Sequence, residues 1–329
     1  MNAVVDFKGR IWIISEKILP LHEQKLIPVT KTPLVSFIIT YHNEPETFLR
    51  ACLESVHALG LTEDEAEIIV VDDGSENPCT MYNVLCTVFR QEQAGLSVAR
   101  NTGISHAQGR YIQFVDADDC LIPSAYEAVI EQLRKEAADI ILFRMTTASP
   151  QPSPKGREMS RSNSPLLWSG QGSLFLRHRN LRAAAWGYAF RREILGELRF
   201  CPGLLHEDEL FTPQLFLKAR SLCELDVKAY FYRQHIGTIT HSVSPKQIQK
   251  RLNDIHFTIK ELQSMNEPLF ERRIRQLTVD YLQKTWTLTH SICEVRRRIR
   301  ELRTEGVLPL PLCRYSMRYL FVASIANLI

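Results

Sequence analysis

The chain has 329 residues, 45% of them hydrophobic, and its 40 basic and 37 acidic side chains give a formal charge of +3. This balance is typical of a soluble globular protein, and by itself it argues neither for nor against nucleic acid as a partner. The eight cysteines form no C-x-x-C pair, which favours reduced thiols in a cytosol over a disulfide framework or a zinc site.

Residues 1–33 form an N-terminal extension that precedes the first clear structural pattern. Asp6, Lys8 and Arg10 interrupt it, so we expect no signal peptide, and its pattern predicts only a short strand at RIWII. No apolar run in the chain reaches the roughly 20 residues that span a bilayer, so we also expect no transmembrane helix.

Residues 34–145 alternate between short β-rich runs and helical patterns. The runs are LVSFIIT, EIIVV, VFRQEQ, RYIQFV and DIILFRM, and several are nearly unbroken in apolar residues, as in strands buried on both faces. Asn43 is predicted to cap the first helix, and a short helical stretch is predicted near residues 79–86. The alternation predicts an α/β fold with a mainly parallel sheet covered by helices on both faces.

The rest of the chain divides at about residue 245. Residues 146–165 are rich in serine and proline and predict a surface loop, or a mobile lid over a site. A mixed region extends to residue 245, and residues 246–329 are predicted to be helical. This last region contains a cluster of basic side chains: Arg296, Arg297, Arg298, Arg300 and Arg303. Such a cluster forms a solvated face or a contact with an anionic membrane surface.

Carboxylates are concentrated where two of the predicted strands end. Asp72 and Asp73 follow the second strand, and the sequence DADD places Asp116, Asp118 and Asp119 after the fourth. Ligands of parallel sheets bind outside the carboxyl ends of the strands. Crowded carboxylates are costly without a cation or a polar ligand, and Mg²⁺ or Mn²⁺ shared with substrate phosphates would stabilise them. The alternative is a solvated turn that caps the next helix, which we favour for Asp119.

Three further residues near this edge each allow two interpretations. Tyr41 could stack on a base or pack in the core. Arg100, on a predicted helix, suits phosphate or a base carbonyl, but it could equally be an exposed helix arginine. In the sequence HEDELF, Asp208 could be a catalytic carboxylate or part of an acidic helix start that complements the helix dipole.

Five motifs in this order resemble the family 2 glycosyltransferases with the GT-A fold, over about residues 34–240: VSFIITYHNE, VVDDGS, QAGLSVARNTGI, YIQFVDADD and HEDELF. The resemblance implies a nucleotide-sugar-binding half at 34–145 and an acceptor-side half at 146–245. The residues it implies for the donor nucleotide are Thr40, Tyr41, Asn43, Glu44, Asp72, Asp73, Arg100, Asp116 and Ala117. It also implies that Asp118 binds Mn²⁺ or Mg²⁺ and that Asp208 is the catalytic base, with Glu207 beside it. Thr40 stands where many members have proline.

The implied activity is metal-dependent, inverting transfer of a sugar from a nucleoside diphosphate, with UDP expected, to a hydroxyl of a glycan or lipid-linked acceptor in polysaccharide synthesis. No nucleic acid is expected as a partner. The expected location is the cytoplasm, with peripheral contact at the inner face of the cell membrane as a further hypothesis. His241 could serve as an additional metal ligand or have a structural role, which is more common for a lone histidine. Two alternatives stay open: a nucleotidyltransferase, although no basic glycine-rich loop follows the first strand, and a non-catalytic nucleotide-sugar-binding protein.

Overall fold

The computed structural model describes residues 3–5, 11–13, 32–79, 86–147, 166–234, 244–313 and 315–328. The chain falls into two units, residues 1–31 and residues 32–329. In the first unit, β1 (Ala3–Val5) and β2 (Ile11–Ile13) pair antiparallel, so the strand predicted at RIWII is confirmed. Three predictions fall wholly or mostly outside the described residues: the helix near 79–86, the loop 146–165 and the role of His241.

The second unit contains a nine-stranded sheet. In chain order its strands are β3 (Val35–Tyr41), β4 (Ala66–Asp73), β5 (Thr87–Gln91), β6 (Tyr111–Asp116), β7 (Cys120–Leu121), β8 (Ile140–Thr146), β9 (Leu166–Gly170), β10 (Tyr188–Arg191) and β11 (Leu222–Phe231). Across the sheet the order is β5–β4–β3–β6–β10–β8–β11, and β7 and β9 both pair with the outer edge of β11.

Most of these strands point the same way. β3, β4, β5 and β6 are parallel neighbours, and β8 and β11 are parallel to each other. β10 lies antiparallel between β6 and β8, and β7 and β9 are antiparallel to β11. The sheet is therefore mixed but mainly parallel, as predicted. The carboxyl ends of β3, β4, β5, β6, β8 and β11 consequently share one edge, where ligands of such sheets bind.

Helices cover both faces of the sheet. In chain order the helices are α1 (Glu46–His57), α2 (Leu96–His106), α3 (Pro123–Arg134), α4 (Gly172–His178), α5 (Asp208–Lys218), α6 (Pro245–Ser264), α7 (Glu271–Thr289), α8 (Ile292–Thr304) and α9 (Met317–Leu328). Successive side chains of β3 point to opposite faces of the sheet. Phe37 and Ile39 pack with α1 and α3, whereas Ile38 packs with α2. With both faces covered, every residue of β3 is buried, which accounts for its unbroken apolar run.

The predicted helical region at 246–329 is confirmed by α6 to α9. Helix α6 packs on α5 and α7 packs on α4, so these helices build directly onto the sheet domain. Ser244 begins α6 with a capping box, in which its hydroxyl accepts from the Gln247 N–H and the Gln247 side chain accepts in return. Residues 32–329 form one unit, and the predicted functional division at residues 145 and 245 stays a prediction.

The prediction that Asn43 caps the first helix is wrong. Helix α1 begins at Glu46, and the residue at its N-cap position is Pro45, which offers no side-chain cap. Asn43 has a φ of 64°, a left-handed conformation that asparagine tolerates better than most residues. Its N–H donates to the Ser75 hydroxyl (3.0 Å), and its side-chain oxygen accepts from the Glu76 N–H (2.8 Å). Asn43 therefore joins the loop after β3 to the loop after β4.

Candidate functional site

The three polar clusters that follow β3, β4 and β6 lie at one edge of the sheet. The parallel register places Tyr41 beside Asp72 and Thr40 beside Asp116. Thr40 and Tyr41 are only 7% and 6% exposed, and Ala117 is buried, so these three residues form the floor of the edge rather than its surface. Burial also raises the pKa of Tyr41 above its ordinary value.

Asp72 is buried and holds the loop that follows β4. Its carboxylate accepts from the backbone N–H groups of Ser75 (2.9 Å) and Cys79 (3.0 Å) and from the Arg90 guanidinium (3.2 Å). Burial is the largest influence and would raise the pKa of Asp72, but these donors outweigh it and the pKa is lowered. The carboxylate thus fixes the loop in its ionised form, and its contact with a nucleotide base stays a prediction.

Asp73 plays a similar part at the start of α2. Its carboxylate accepts from the backbone N–H groups of Ala94 and Gly95 and from the Gln91 side chain, each at 2.8 Å. Gly95 is the N-cap residue of α2, where backbone N–H groups lack partners within the helix. Asp73 supplies an acceptor there and ties α2, which carries Arg100, to the end of β4.

Glu44, Asp116 and Asp118 form an acidic rim at this edge, and each is partly exposed. The Glu44 carboxylate accepts from the His42 N–H at 2.6 Å. Burial, together with the charges of Asp118 and Asp116, raises the pKa of Glu44 to about 6, although backbone hydrogen bonds act in the opposite direction. The three carboxylates therefore repel one another, so a cation at the rim would stabilise all of them.

The prediction that Asp119 is a solvated helix cap is wrong. Asp119 is fully buried, and helix α3 begins at Pro123 with Ile122 at its N-cap position. The Asp119 carboxylate accepts from the Arg233 N–H at 2.7 Å, which ties the turn after β6 to the end of β11. Burial, together with Asp116 and Asp118, raises the pKa of Asp119 to about 8.

Arg100 connects the acidic rim to the HEDELF motif. Its side chain is 3% exposed, and it donates to the Asp116 carboxylate at 2.9 Å and to the carboxylate of Glu207, which is also buried. The guanidinium lies over the rings of Phe114 (5.7 Å) and Phe200 (5.4 Å). The exposed-arginine alternative is therefore wrong. Arg100 bridges two carboxylates beneath the site, and its predicted contact with the nucleotide stays a prediction.

Arg100→Met is expected to lower the free energy of unfolding by about 3–5 kcal/mol, because the charge of Glu207 would remain buried without its partner. Urea unfolding of the purified protein measures the effect. Arg50→Met is the control, since Arg50 pairs with Glu46 on the surface and should cost less than about 1 kcal/mol. Equal losses in the two variants would contradict a buried bridge at Arg100.

Asp208 begins α5 and lies in a pocket of about 470 Å³. The pocket is lined by Leu181, Arg182, Ala183, Ala184, Trp186, Asp208, Glu209, Tyr232 and Arg273. Burial raises the pKa of Asp208 well above its ordinary value, and the charges of Glu207 and Glu209 add to this. Arg100 and Arg273 act in the opposite direction. A carboxyl group with a raised pKa, set in a pocket, is suited to accept a proton from a ligand hydroxyl.

Three residues of this pocket were not identified from the sequence. Trp186 stacks on Tyr230, with ring centroids 4.5 Å apart, and also on Tyr232 at 5.8 Å. Arg273 of α7 donates to the Glu209 carboxylate and to the Leu181 carbonyl (3.0 Å). Trp186, Tyr232 and Arg273 belong to distant parts of the chain, and no local motif marks them.

The rim fits a divalent cation that shares its ligands with a substrate. Among the described residues, no three histidine, cysteine, aspartate or glutamate side chains form a metal-binding group by themselves. Mg²⁺ usually takes one or two carboxylates and completes its shell with phosphate and water oxygens, so a three-residue group is not required. Asp118, beside Asp116 and Glu44, has the hard oxygen ligands that such an ion prefers.

Comparisons with known proteins agree with this geometry. The family model described as Glycosyl transferase family 2 matches residues 36–199. The uncharacterized glycosyltransferase YibD of Escherichia coli (strain K12) is 26% identical over 304 residues, which are 85% of this chain and 87% of YibD.

Two solved structures share the fold. TarS 1–349 of S. aureus in complex with UDP-GlcNAc has a TM-score of 0.61 at 18% identity, over 89% of this chain and 88% of TarS 1–349. The mannosyltransferase PcManGT of Pyrobaculum calidifontis in complex with GDP-Man and Mn²⁺ has a TM-score of 0.53 at 16% identity, over 90% and 87% of the two chains. Within the described residues, every helix is too short or too polar to traverse a bilayer.

Proposed function

Because the chain belongs to the family 2 glycosyltransferases and has their GT-A fold, we propose that it transfers a sugar from a nucleoside diphosphate to an acceptor hydroxyl with inversion at the anomeric carbon. The observation that carries the proposal is the connection between the Asp208 pocket and the acidic rim through Glu207, Arg100 and Asp116. Family membership makes the chain a glycosyl-transferring enzyme, so neither nucleotidyl transfer nor a purely non-catalytic role is proposed.

We propose that the donor nucleotide lies across the carboxyl ends of β3, β4 and β6. The residues proposed to form this site are Thr40, Tyr41, Asn43, Glu44, Asp72, Asp73, Arg100, Asp116 and Ala117. Asp72, Asp73 and Arg100 already bind protein groups, so we propose that they act mainly by holding the surrounding loops and carboxylates in place. UDP is the proposed nucleotide, and the similarity to TarS, which is described with UDP-GlcNAc, supports it.

A divalent cation, Mn²⁺ or Mg²⁺, is proposed to bind at Asp118. Such an ion supplies charge that stabilises the departing nucleoside diphosphate. The mutual repulsion of Glu44, Asp116 and Asp118 supports this assignment, as does the Mn²⁺ described in the similar mannosyltransferase. The protein's own part is to hold Asp116 in place through Arg100, so that the rim keeps its shape when the donor binds.

Asp208 is proposed to take the proton from the acceptor hydroxyl. Its raised pKa makes its carboxylate a stronger base than an ordinary aspartate, which helps a proton transfer in the transition state. Trp186 and Tyr232 give the pocket an aromatic wall against which a sugar ring could pack. We propose that the acceptor is a hydroxyl of a glycan or of a lipid-linked saccharide.

A thermal-shift screen of nucleotide sugars with Mn²⁺ tests the donor assignment. A donor present at about 100 times its Kd should raise the free energy of unfolding by about 2.7 kcal/mol, because only the native state binds it. The stabilising donor should then release its nucleoside diphosphate when acceptor is supplied. If no nucleotide sugar stabilises the protein with either Mn²⁺ or Mg²⁺, the proposal is wrong.

In the wild-type protein kcat/KM should increase with pH as Asp208 loses its proton. Arg273→Gln is expected to shift this increase to higher pH. Arg273 lowers the pKa of Asp208, and its loss also leaves the charge of Glu209 unneutralised nearby, so the pKa of Asp208 should rise further. Because a base acts only when deprotonated, more alkaline solution is then needed for the same activity. The pH profile of nucleoside diphosphate release measures this shift.

Arg272→Gln is the matched control for that measurement. Arg272 precedes Arg273 on α7, but its guanidinium donates to the Asn180 side chain (2.7 Å) and not to Glu209. Its pH profile should therefore match that of the unmodified protein. An unshifted profile for Arg273→Gln would mean that Arg273 serves stability alone.

A further inference from the structure

Helix α9 has apolar side chains on two opposite faces. One face packs against the rest of the protein and is buried: Tyr319, Ala323 and Ala326. The other face is exposed, and its residues recur every third or fourth position: Met317 (82% exposed), Phe321 (68%), Ile325 (40%) and Leu328 (87%). A helix that needed only to pack on the protein would have polar residues on this second face.

The exposed side of α9 continues onto α7 and α8. Trp286 of α7 and Ile292 of α8 are 49% and 52% exposed, and with Phe321 and Ile325 they line a groove of about 410 Å³. We call these six exposed side chains, Trp286, Ile292, Met317, Phe321, Ile325 and Leu328, the apolar face. A contiguous exposed apolar surface of this kind marks a docking site in a folded protein.

The arginines of α8 divide into two groups. Arg297 and Arg298 pair with Glu294 and Glu301, and Arg298 is buried. These two arginines are therefore not available to a membrane surface, although the sequence had suggested that they could be. The remaining three are exposed, and none forms an ion pair with a described carboxylate: Arg296, Arg300 and Arg303.

The exposed arginines border the apolar face. At 100° per residue, Arg296 and Arg303 lie within about 40° of Ile292 on the helix surface, whereas Glu294 and Glu301 lie on the opposite side. Arg303 also donates to the carbonyls of Ala326 and Asn327 at the end of α9, which places its charge beside Leu328. Apolar side chains bordered by cations without carboxylate partners are characteristic of helices that lie in the surface of an anionic membrane.

We propose that the apolar face docks this protein onto an anionic lipid bilayer, with Phe321, Ile325 and Trp286 among the acyl chains and Arg296 and Arg300 at the headgroups. A second copy of the chain fits less well. A two-fold contact would bring two copies of the same arginine-bordered face together, and none of the six side chains of the apolar face is acidic to offset that charge. The inference does not depend on the proposed catalysis, but it would hold α7, which contributes Arg273 to the Asp208 pocket and Trp286 to the apolar face, at the surface where lipid-linked saccharides lie.

Sedimentation with sucrose-loaded vesicles tests the proposal on the full chain. The protein should bind phosphatidylcholine vesicles that contain phosphatidylglycerol, bind pure phosphatidylcholine much more weakly, and be released by salt. Arg296→Gln/Arg300→Gln should weaken binding by roughly fivefold per arginine, about 25-fold together. Phe321→Ser/Ile325→Ser should weaken it at least as much. These surface variants should keep the thermal stability of the unmodified protein.

Matched controls alter similar residues elsewhere on the surface. Leu174→Ser/Phe257→Ser removes two side chains that are 44% and 41% exposed, and Arg177→Gln/Lys246→Gln removes two exposed charges, so neither should change binding. The proposal is overturned if the protein does not bind anionic vesicles at low salt, or if controls and test variants lose binding equally. It is also overturned if light scattering finds a dimer that Phe321→Ser/Ile325→Ser dissociates while vesicle binding is absent.

Discussion

Asp208→Asn is expected to lower the kcat of sugar transfer by about 10²–10⁴-fold while leaving donor binding unchanged. Asparagine keeps the shape of the side chain but cannot accept the proton of the acceptor hydroxyl. The donor site should be unaffected, because Asp208 lies in the pocket with Trp186 and Arg273 and not at the rim. Measuring both kcat and the Mn²⁺-dependent thermal shift separates a loss of turnover from a loss of donor binding.

The same variant should not be less stable than the unmodified protein. The pKa of Asp208 is raised in the folded state, so the native protein binds this proton more strongly than the unfolded chain does. Above the unfolded pKa, ionised Asp208 therefore lowers the free energy of unfolding as pH rises. A neutral asparagine removes that cost. Asp226→Asn, which alters an exposed surface pair with Arg144, is the control and should change neither turnover nor stability. Near-normal turnover in Asp208→Asn would show that another group is the base.

The sheet and its acidic edge could be predicted because their signals are local. A strand buried on both faces needs a continuous apolar run, and the polar residues that end it stand next to it in sequence, as in YIQFVDADD. Once such strands are known to be parallel, their carboxyl ends must share an edge. This places Asp72 and Asp116 near one another without any knowledge of the loops between them.

The contacts beneath that edge could not be predicted because they depend on tertiary structure. Arg100 meets Glu207, a residue 107 positions away, and nothing in the helix that carries Arg100 distinguishes it from an exposed arginine. Asparagine is a common residue at helix N-caps, yet Asn43 forms its hydrogen bonds with Ser75 and Glu76 in the loop after β4 and not with the helix. The four-residue strand β10 could not be predicted either, because no local sequence pattern indicates that it inserts antiparallel between β6 and β8.

The pocket around Asp208 was the least predictable part of the candidate site for a related reason. Trp186 lies within a short helical turn, Tyr232 follows the last strand, and Arg273 lies on a helix beyond the matched family region, which ends at residue 199. Each is an ordinary core or surface residue in its own segment. They become parts of one pocket only because α7 packs back onto α4. If the acceptor binds in this pocket as proposed, its selection depends on the helical region as well as on the sheet.

Asp118→Ala is expected to abolish sugar transfer and Mn²⁺-dependent donor binding together. If Asp118 holds the cation against the diphosphate, its loss removes the link between the donor and the protein, whereas loss of Asp208 removes only the base. A gain of about 2.7 kcal/mol in unfolding free energy, expected for donor at about 100 times its Kd, should disappear in this variant.

Asp64→Ala is the control for Asp118→Ala, because Asp64 is an exposed carboxylate just before β4 and so lies at the opposite edge of the sheet. It should keep both activity and the Mn²⁺-dependent stabilisation. Asp118→Ala and Asp208→Asn then distinguish the proposed donor site from the proposed base. Asp118→Ala should lose donor binding and turnover, and Asp208→Asn should lose turnover alone. If Asp118→Ala kept its Mn²⁺-dependent stabilisation, the crowding of Glu44, Asp116 and Asp118 at the rim would need an explanation other than a cation.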